Sequence, residues 1–425
     1  MFFFLYNILW TLALIVLVPV IVFSKNRRLS ERLGLNLPAN PSDKKSIWIH
    51  ALSVGEVISA VPLIKAVIRR CPSQPVVVTV KTLQGMEVAR KELEGEAVAL
   101  MPMPVDHWWS VSRIFRHINP SVLILVEGDI WPGLLSCLYK NGVRVLLVNG
   151  RVSPRTFKSY KRFRSFVRPL LNKIELFLMQ TEADRDRLIE IGLSPEKIKN
   201  TGNIKFDRPW RPMETAEHDH WMKTLDLQCG KIIWVAGSTH DSENETVLDV
   251  YKRLKGSFPG LFLVIAPRKT ETAGDVHRAC VAKGLYARMR SNLGIDDGPV
   301  DYEVLILDTI GELERIYGLA DISFVGGSMV PVGGHNLLEP AAFGTPVLFG
   351  RYMYNFFLMS QLLADEGGGL MVEDGEALFI KMNRLLSDRG LSAGMGLRAK
   401  EFVIKNSGAL GRIMTQIGGY INGND

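Results

Sequence analysis

Cysteine is scarce and scattered in this chain, with four residues at Cys71, Cys137, Cys229 and Cys280 that show no pairing pattern and no metal-ligand spacing. This excludes a disulfide scaffold and a cysteine-based zinc module, and it suits a reducing compartment. There is no aspartate-rich metal motif, no internal repeat and no low-complexity tract, so a repeat array and a disordered polymer are excluded as well. Polar side chains are almost missing from one region. Between Phe2 and Phe23 only Asn7 and Thr11 interrupt an apolar run that has no polar face. At 1.5 Å per residue such a run reaches roughly 30 Å, enough to cross a bilayer as a helix. A cleaved signal peptide carries its cations before the apolar region, whereas here Lys25, Arg27, Arg28 and Arg32 follow it. The reading is an uncleaved anchor over residues 2–23, whose flanking cations hold the rest of the chain in the cytoplasm.

About 400 residues follow the anchor, more than one core usually accommodates, so two domains are expected. Short β-rich apolar runs alternate with helical patterns, which indicates parallel sheets with crossover helices. The first set is Ser46 to Leu52, Pro75 to Val80, Val122 to Val126, Val143 to Val148 and Leu176 to Met179. A second set follows a proline-containing stretch around Pro209 and Pro212: Ile232 to Ala236, Leu261 to Ala266, Val304 to Leu307, Ile322 to Val325 and Pro346 to Phe349. The expected architecture is α/β, with two doubly wound Rossmann-type domains over residues 25–208 and 209–425 facing a cleft. The net charge of +7 favours anionic partners, and beside an anchor an acidic lipid surface fits better than nucleic acid. Lys158, Lys161, Arg162, Arg164 and Arg168 interleave with Tyr160, Phe163 and Phe166. That pattern suits lipid headgroups, and it also suits a solvated helix face.

The most informative stretch is Gly326-Gly327-Ser328 followed by Gly333-Gly334-His335-Asn336-Leu337-Leu338-Glu339-Pro340. Glycines after an apolar strand let backbone N–H groups approach a phosphate, and Asn336 is placed to cap the helix that follows, where an anion is favoured. Glu339, about one turn inside, is in reach of a ribose hydroxyl. The same glycines also suit an ordinary strand-to-helix turn. In open α/β sheets ligands bind beyond the carboxyl ends of the strands. Polar residues gather at those ends: His50, Ser53, Gly55 and Glu56, then Glu127, then Asn149 and Arg151, and in the second set Ser238-Thr239-His240, Arg268-Lys269 and Asp308.

Taken together, His50-Ala51-Leu52-Ser53-Val54-Gly55-Glu56, Glu127-Gly128-Asp129-Ile130-Trp131-Pro132, Asn149-Gly150-Arg151, Gly202-Asn203-Ile204-Lys205-Phe206-Asp207, Ser238-Thr239-His240, Pro267-Arg268 and the glycine stretch resemble the Kdo transferases. The resemblance runs from the apolar segment to the C-terminus. That family moves 3-deoxy-D-manno-octulosonic acid (Kdo) from CMP-Kdo to the lipid A precursor, lipid IVA, in lipopolysaccharide biosynthesis, using a GT-B fold on the cytoplasmic side of the inner membrane. Carried over residue by residue, the resemblance makes Glu56 the proton acceptor, and Glu127 and Lys205 stabilisers of the transition state. It assigns the CMP contacts to Pro267 and Arg268, to Ile310-Gly311-Glu312, and to Asn336-Leu337-Leu338-Glu339. It calls for no metal and no cofactor. Asp129 stands where the family usually has a second glutamate, and Lys269 where a histidine is common.

The residue types suit the chemistry. A sugar hydroxyl needs a base in contact as it attacks the anomeric carbon, and Glu56 can supply one. An acid at that position also complements a helix dipole. The departing CMP phosphate gains charge, which a guanidinium such as Arg268 binds through its planar fork. For Lys205 an interdomain salt bridge is the plainer reading. Direct displacement inverts the anomeric centre, and no residue obliges a covalent intermediate. Two other classes share parts of the pattern: another GT-B enzyme, such as a lipid-directed hexosyltransferase or a nucleotide-sugar epimerase, and a non-catalytic membrane adaptor.

Overall fold

The computed structural model describes residues 6, 10–12, 27–35, 37, 44–128, 130–207, 210–225, 227, 230–293 and 302–422. Most of the expected anchor at 2–23 lies outside the described residues, as does Asp129. Among the described residues no helix is long and apolar enough to cross a membrane.

The chain divides into two units, one taking in residues up to 208 together with 406–425, the other 209–405. In the first, β1 (Ser46–Ala51), β2 (Val76–Val80), β3 (Val98–Pro102), β4 (Pro120–Val126), β5 (Arg144–Gly150), β6 (Leu176–Met179) and β7 (Ile198–Asn200) form one sheet in the order β3-β2-β1-β4-β5-β6-β7. Every pairing is parallel. Alternate residues pack on opposite faces: Ile47, Ile49, Val122 and Ile124 lie in one core, and Trp48, Leu123 and Leu125 in another. Helices cover both faces, so a strand such as β2, Val-Val-Val-Thr-Val, is buried along its whole length and reads as a continuous apolar run. The chain winds outward from β1 to β3, then returns to β4 beside β1. This reversal opens a crevice beyond the ends of β1 and β4, where α/β sheets place their ligands.

The second unit repeats the plan. Its strands are β8 (Ile232–Thr239), β9 (Leu261–Pro267), β10 (Ala287–Met289), β11 (Val304–Ile306), β12 (Ile322–Val325), β13 (Val347–Gly350) and β14 (Gly369–Val372), in the order β10-β11-β9-β8-β12-β13-β14. Its reversal falls between β8 and β12, and β11 is inserted between β9 and β10.

The expected extent of the second domain, 209–425, is corrected at its end. The last helix, Ala409–Ile421, packs on the first sheet through Ala409, Ile413, Ile417 and Ile421, one residue every four on a single face. Polar ties fix it there. Asp207 accepts the N–H groups of Gly408 and Leu410, and Arg412 Nε donates to the Thr201 carbonyl at 2.9 Å.

Candidate active site

In the first unit, β1 runs into the helix Val54–Arg70, capped at Ser53, which puts Glu56 in its first turn. Glu56 Oε2 accepts the Leu52 N–H, and the residue stays partly exposed. The dipole reading of this acid is therefore met in part, since the carboxylate also secures the helix start. One turn on, the buried Ser59 hydroxyl lies 2.8 Å from the Gly55 carbonyl and 3.4 Å from Glu127 Oε1. Glu127 follows β4 with φ +67, a left-handed backbone that is uncommon for a side chain of this size and re-aims it at the strand end. Lys205 Nζ lies 3.1 Å from Glu127 Oε1. Glu127 and Lys205 are therefore paired, with Ser59 from the helix of Glu56 near the same carboxylate, and the partner of Lys205 lies within its own unit, which corrects the interdomain salt bridge.

Lys205 is held from two sides. Asn149, fully buried at the end of β5 with φ +53, accepts the Ile204 N–H on its side-chain oxygen at 3.1 Å. Gln180 donates to the Asn149 carbonyl at 2.9 Å and accepts from Asn203 at 3.1 Å, while Asn203 accepts the Lys205 N–H at 3.0 Å. On the other side Asp207 is fixed to the start of the last helix. Near the neighbouring strand end, Lys81 Nζ sits 4.6 Å from the centre of the Trp131 ring, and the Arg28 guanidinium donates to the Lys81 carbonyl. Sequence reasoning missed Ser59, Gln180 and Lys81. Only Ser59 carried a signal, its i+3 spacing from Glu56 on one helix face.

In the second unit the glycine turn is not the phosphate cradle that its sequence suggests. Glu243, 1% exposed, fills it. Its Oε2 accepts the N–H groups of Gly327 at 2.7 Å and His240 at 3.0 Å, and its Oε1 those of Ser328 at 3.0 Å and Met329 at 2.8 Å. These donors are occupied by a carboxylate of the protein itself and are not available to a ligand. The glycines answer to close packing instead: a Cβ on Gly326 would lie 2.5 Å from the Ser238 carbonyl oxygen, and one on Gly327 would lie 2.8 Å from His335.

The residues expected to contact the nucleotide lie at or after the ends of β9, β11 and β12 in this sheet. Pro267 ends β9, and the exposed Arg268 that follows has no carboxylate partner among the described residues. Ile310 is 86% exposed, Gly311 has φ +96, and Glu312 is held by Arg290 at 2.9 Å. Asn336 accepts the Leu338 N–H at 3.1 Å and donates to Glu339 Oε1 at 3.3 Å, which makes it a local turn one residue ahead of the cap position, Leu337, and corrects its expected role as the helix cap. The helix it introduces, Leu338–Phe343, is a short one, with Leu338 buried and Glu339 in its first turn. Leu337, at the cap, is fully buried, so its side chain serves packing. His335 has its pKa pushed down to about 4 by burial and by the nearby Arg268 and His240, which keeps it neutral at neutral pH. Among the described residues no cluster of three or more His, Cys, Asp or Glu side chains could hold a metal ion.

Residues 27–208 match the family of 3-deoxy-D-manno-octulosonic-acid transferases. A 3-deoxy-D-manno-octulosonic acid transferase of Haemophilus influenzae is 31% identical over 399 residues, which is 94% of this chain and 92% of that protein. The chain belongs to the Kdo transferase family. It is a glycosyltransferase. A bifunctional glycosyltransferase/methyltransferase of Fusobacterium nucleatum is 32% identical over 88% of this chain, but the chain spans only 58% of that longer protein. The fold is GT-B-like. The UDP-GlcNAc 2-epimerase of Neisseria meningitidis matches 88% of this chain and 100% of its own with a TM-score of 0.57, at 12% identity. At that identity the likeness speaks for the fold alone.

Proposed function

We propose that this enzyme transfers Kdo from CMP-Kdo to a hydroxyl of a lipid A precursor of the lipid IVA type, with inversion and with Glu56 as general base. The observation that carries this reading is the grouping of Glu56, Ser59, Glu127 and Lys205 at the switch point of the first sheet. Glu56 removes the acceptor proton as the bond to the anomeric carbon forms. Glu127 and Lys205, held as a partly exposed pair, balance the charge that develops there. Arg28 and Lys81, whose strand end adjoins that of β1, suit a phosphorylated acceptor.

On the donor side, Arg268 stabilises the departing CMP phosphate, Ile310 offers open apolar surface to the base, and Asn336 with Glu339 contacts the nucleotide. Arg268→Ala is expected to weaken CMP binding by roughly 1.5–3 kcal/mol, the scale of a charge-assisted hydrogen bond.

We place the enzyme at the cytoplasmic face of the inner membrane. The helices Pro154–Arg162 and Arg164–Leu171 support this, with exposed Lys158, Arg162 and Arg168 beside Phe163 and Phe166, which are 53% and 42% exposed. Part of the cationic pattern is structural, because Lys161 pairs with Glu190 at 2.7 Å and Arg164 donates to the Ile191 carbonyl at 2.6 Å. Strong salt is expected to leave the protein in membranes and detergent to release it, since screening weakens surface charge and not apolar insertion.

The deciding experiment is incubation with CMP-Kdo and lipid IVA, followed by mass spectrometry of the lipid, with UDP-sugars as controls. A mass gain of one or more Kdo units is expected and also counts the units added. An unmodified lipid overturns the assignment, and a gain from UDP-sugars favours a hexosyltransferase.

A further inference from the structure

His240 follows β8, and His335 lies in the loop ahead of Asn336. Their Nε2 atoms are 3.1 Å apart, and their ring planes differ by 3° with centroids 5.4 Å apart. Nearly parallel rings whose nearest approach is nitrogen to nitrogen lie edge to edge, joined by one N–H···N bond. Such a bond needs a proton on one Nε2 and a lone pair on the other. It survives when the two rings together hold one extra proton, because that proton goes to an Nδ1, and it breaks when both rings are charged. The pair is therefore a unit that can take up a single proton and keep its geometry.

Its surroundings decide when it does so. Burial lowers the proton affinity of His335, and so do Arg268, from the end of β9, and His240 itself. Glu243 brings a negative charge to the backbone of His240, yet it is compensated by four backbone N–H groups, one of them that of His240. Gly327, from the turn after β12, contributes only backbone and leaves room for the rings. An anion next to Arg268 cancels the guanidinium charge and adds an attraction of its own, which favours the charged pair.

We propose that His240 and His335 are a proton-coupled part of the nucleotide phosphate site: when the phosphate binds beside Arg268, one proton moves from solvent onto the pair, which then faces the phosphate as a cation. The proposal rests on the reading that the second unit binds the donor nucleotide. It makes donor affinity pH-dependent through protein groups, with tighter binding under mildly acidic conditions and easier release of CMP as pH rises.

The test uses the full-length protein in detergent and the methyl ester of cytidine 5′-monophosphate, a phosphodiester that keeps one charge and does not itself titrate across the range. Calorimetry in buffers of different ionisation enthalpy counts protons taken up per ligand bound. The expected result is an uptake of about 0.3–1 proton at pH 6 that falls towards zero at pH 8, with affinity rising up to roughly tenfold between pH 8 and pH 6. His335→Gln and His240→Gln should each abolish the uptake. Nitrogen NMR of labelled histidine in the unmutated protein reads the same event without relying on a variant that folds. Binding without uptake, or uptake that persists in both variants, overturns the proposal. Absence of binding by the unmutated protein instead removes the donor assignment, and the proposal with it.

Discussion

Glu56 and Glu243 occupy the same place in the two units, and they do different things there. Each is the third residue of the helix that follows the central strand at a switch point, three positions after the capping residue, Ser53 in one case and His240 in the other. Glu243 is buried and accepts four backbone N–H groups. Glu56 accepts the Leu52 N–H and remains partly exposed. The difference comes from the neighbouring strand. After β12 the chain turns through Gly326 and Gly327, close enough for the amides of residues 327–329 to enclose the carboxylate. After β4 the corresponding turn carries Glu127, a second acid whose partners are Lys205 and Ser59. An acid at a helix start is a structural cap where backbone amides enclose it, as at Glu243, and it stays partly exposed where they do not, as at Glu56.

The same substitution made twice breaks this comparison if it is wrong. Glu56→Gln keeps an oxygen that can accept the Leu52 N–H but removes the base. Turnover should fall about 10²- to 10⁴-fold with CMP binding and the melting curve nearly unchanged. A loss below tenfold, read from the rate of lipid product, would return Glu56 to the role of a cap.

Glu243→Gln should do the reverse. An amide presents one acceptor oxygen where the turn needs two, so at least one buried N–H loses its partner and an NH₂ faces it. The expected cost is about 2–4 kcal/mol of stability, seen as a lower denaturant midpoint of the second unit, with any loss of turnover following the loss of folded protein. An unaltered midpoint together with weaker CMP binding would show that the turn is a ligand site after all.

Acid sharpens the contrast, because the second site relies on a neutral imidazole. The folded pKa of His335, about 4, lies below its ordinary value of 6.5. Its contribution to stability is therefore complete above pH 6.5 and is lost progressively as pH falls from there towards 4, since the unfolded chain binds the proton more readily. Thermal melts across that window should show the second unit weakening, and His335→Gln should flatten the dependence. A dependence that survives the substitution would assign it to other groups.

The ten strands read from the sequence are the ten interior strands, and the four it missed are the four sheet edges, β3, β7, β10 and β14. The cause is physical for two of them: interior strands are covered on both faces and are mostly apolar, whereas the edge strands β10, Ala-Arg-Met, and β7, Ile-Lys-Asn, are short and carry charge. The edge strands β3, Val-Ala-Leu-Met-Pro, and β14, Gly-Leu-Met-Val, are apolar but only partly buried and lack β-branched residues in their interior, so they do not stand out from helical segments. At the site, residue types at strand ends were legible, but which donors were already spent was not. Nothing in Gly326-Gly327-Ser328 says that a glutamate 84 residues earlier fills the turn. The return of the last helix to the first unit was hidden for a similar reason: its apolar face is visible in Ile413, Ile417 and Ile421, but a face does not name the sheet it covers.

The smallest expected effect belongs to Ser59, and it asks whether Glu127 needs the helix of Glu56 at all. The hydroxyl lies 3.4 Å from Glu127 Oε1, near the limit of a hydrogen bond, and is closer to the Gly55 carbonyl at 2.8 Å. Lys205 lies against the same carboxylate oxygen at 3.1 Å and does not depend on the serine for that contact. Ser59→Ala leaves the volume nearly filled and removes one weak donor, so turnover should fall only about two- to tenfold, the equivalent of about 0.5–1.5 kcal/mol for one neutral hydrogen bond, with KM for the donor unchanged. If the hydroxyl merely back-bonds its own helix, turnover will not change, and Glu127 is aimed by its left-handed backbone and Lys205 alone. A loss as large as that of Glu56→Gln would instead make the serine a direct contact of the acceptor, and would move the centre of the first site one helical turn along from where the sequence puts it.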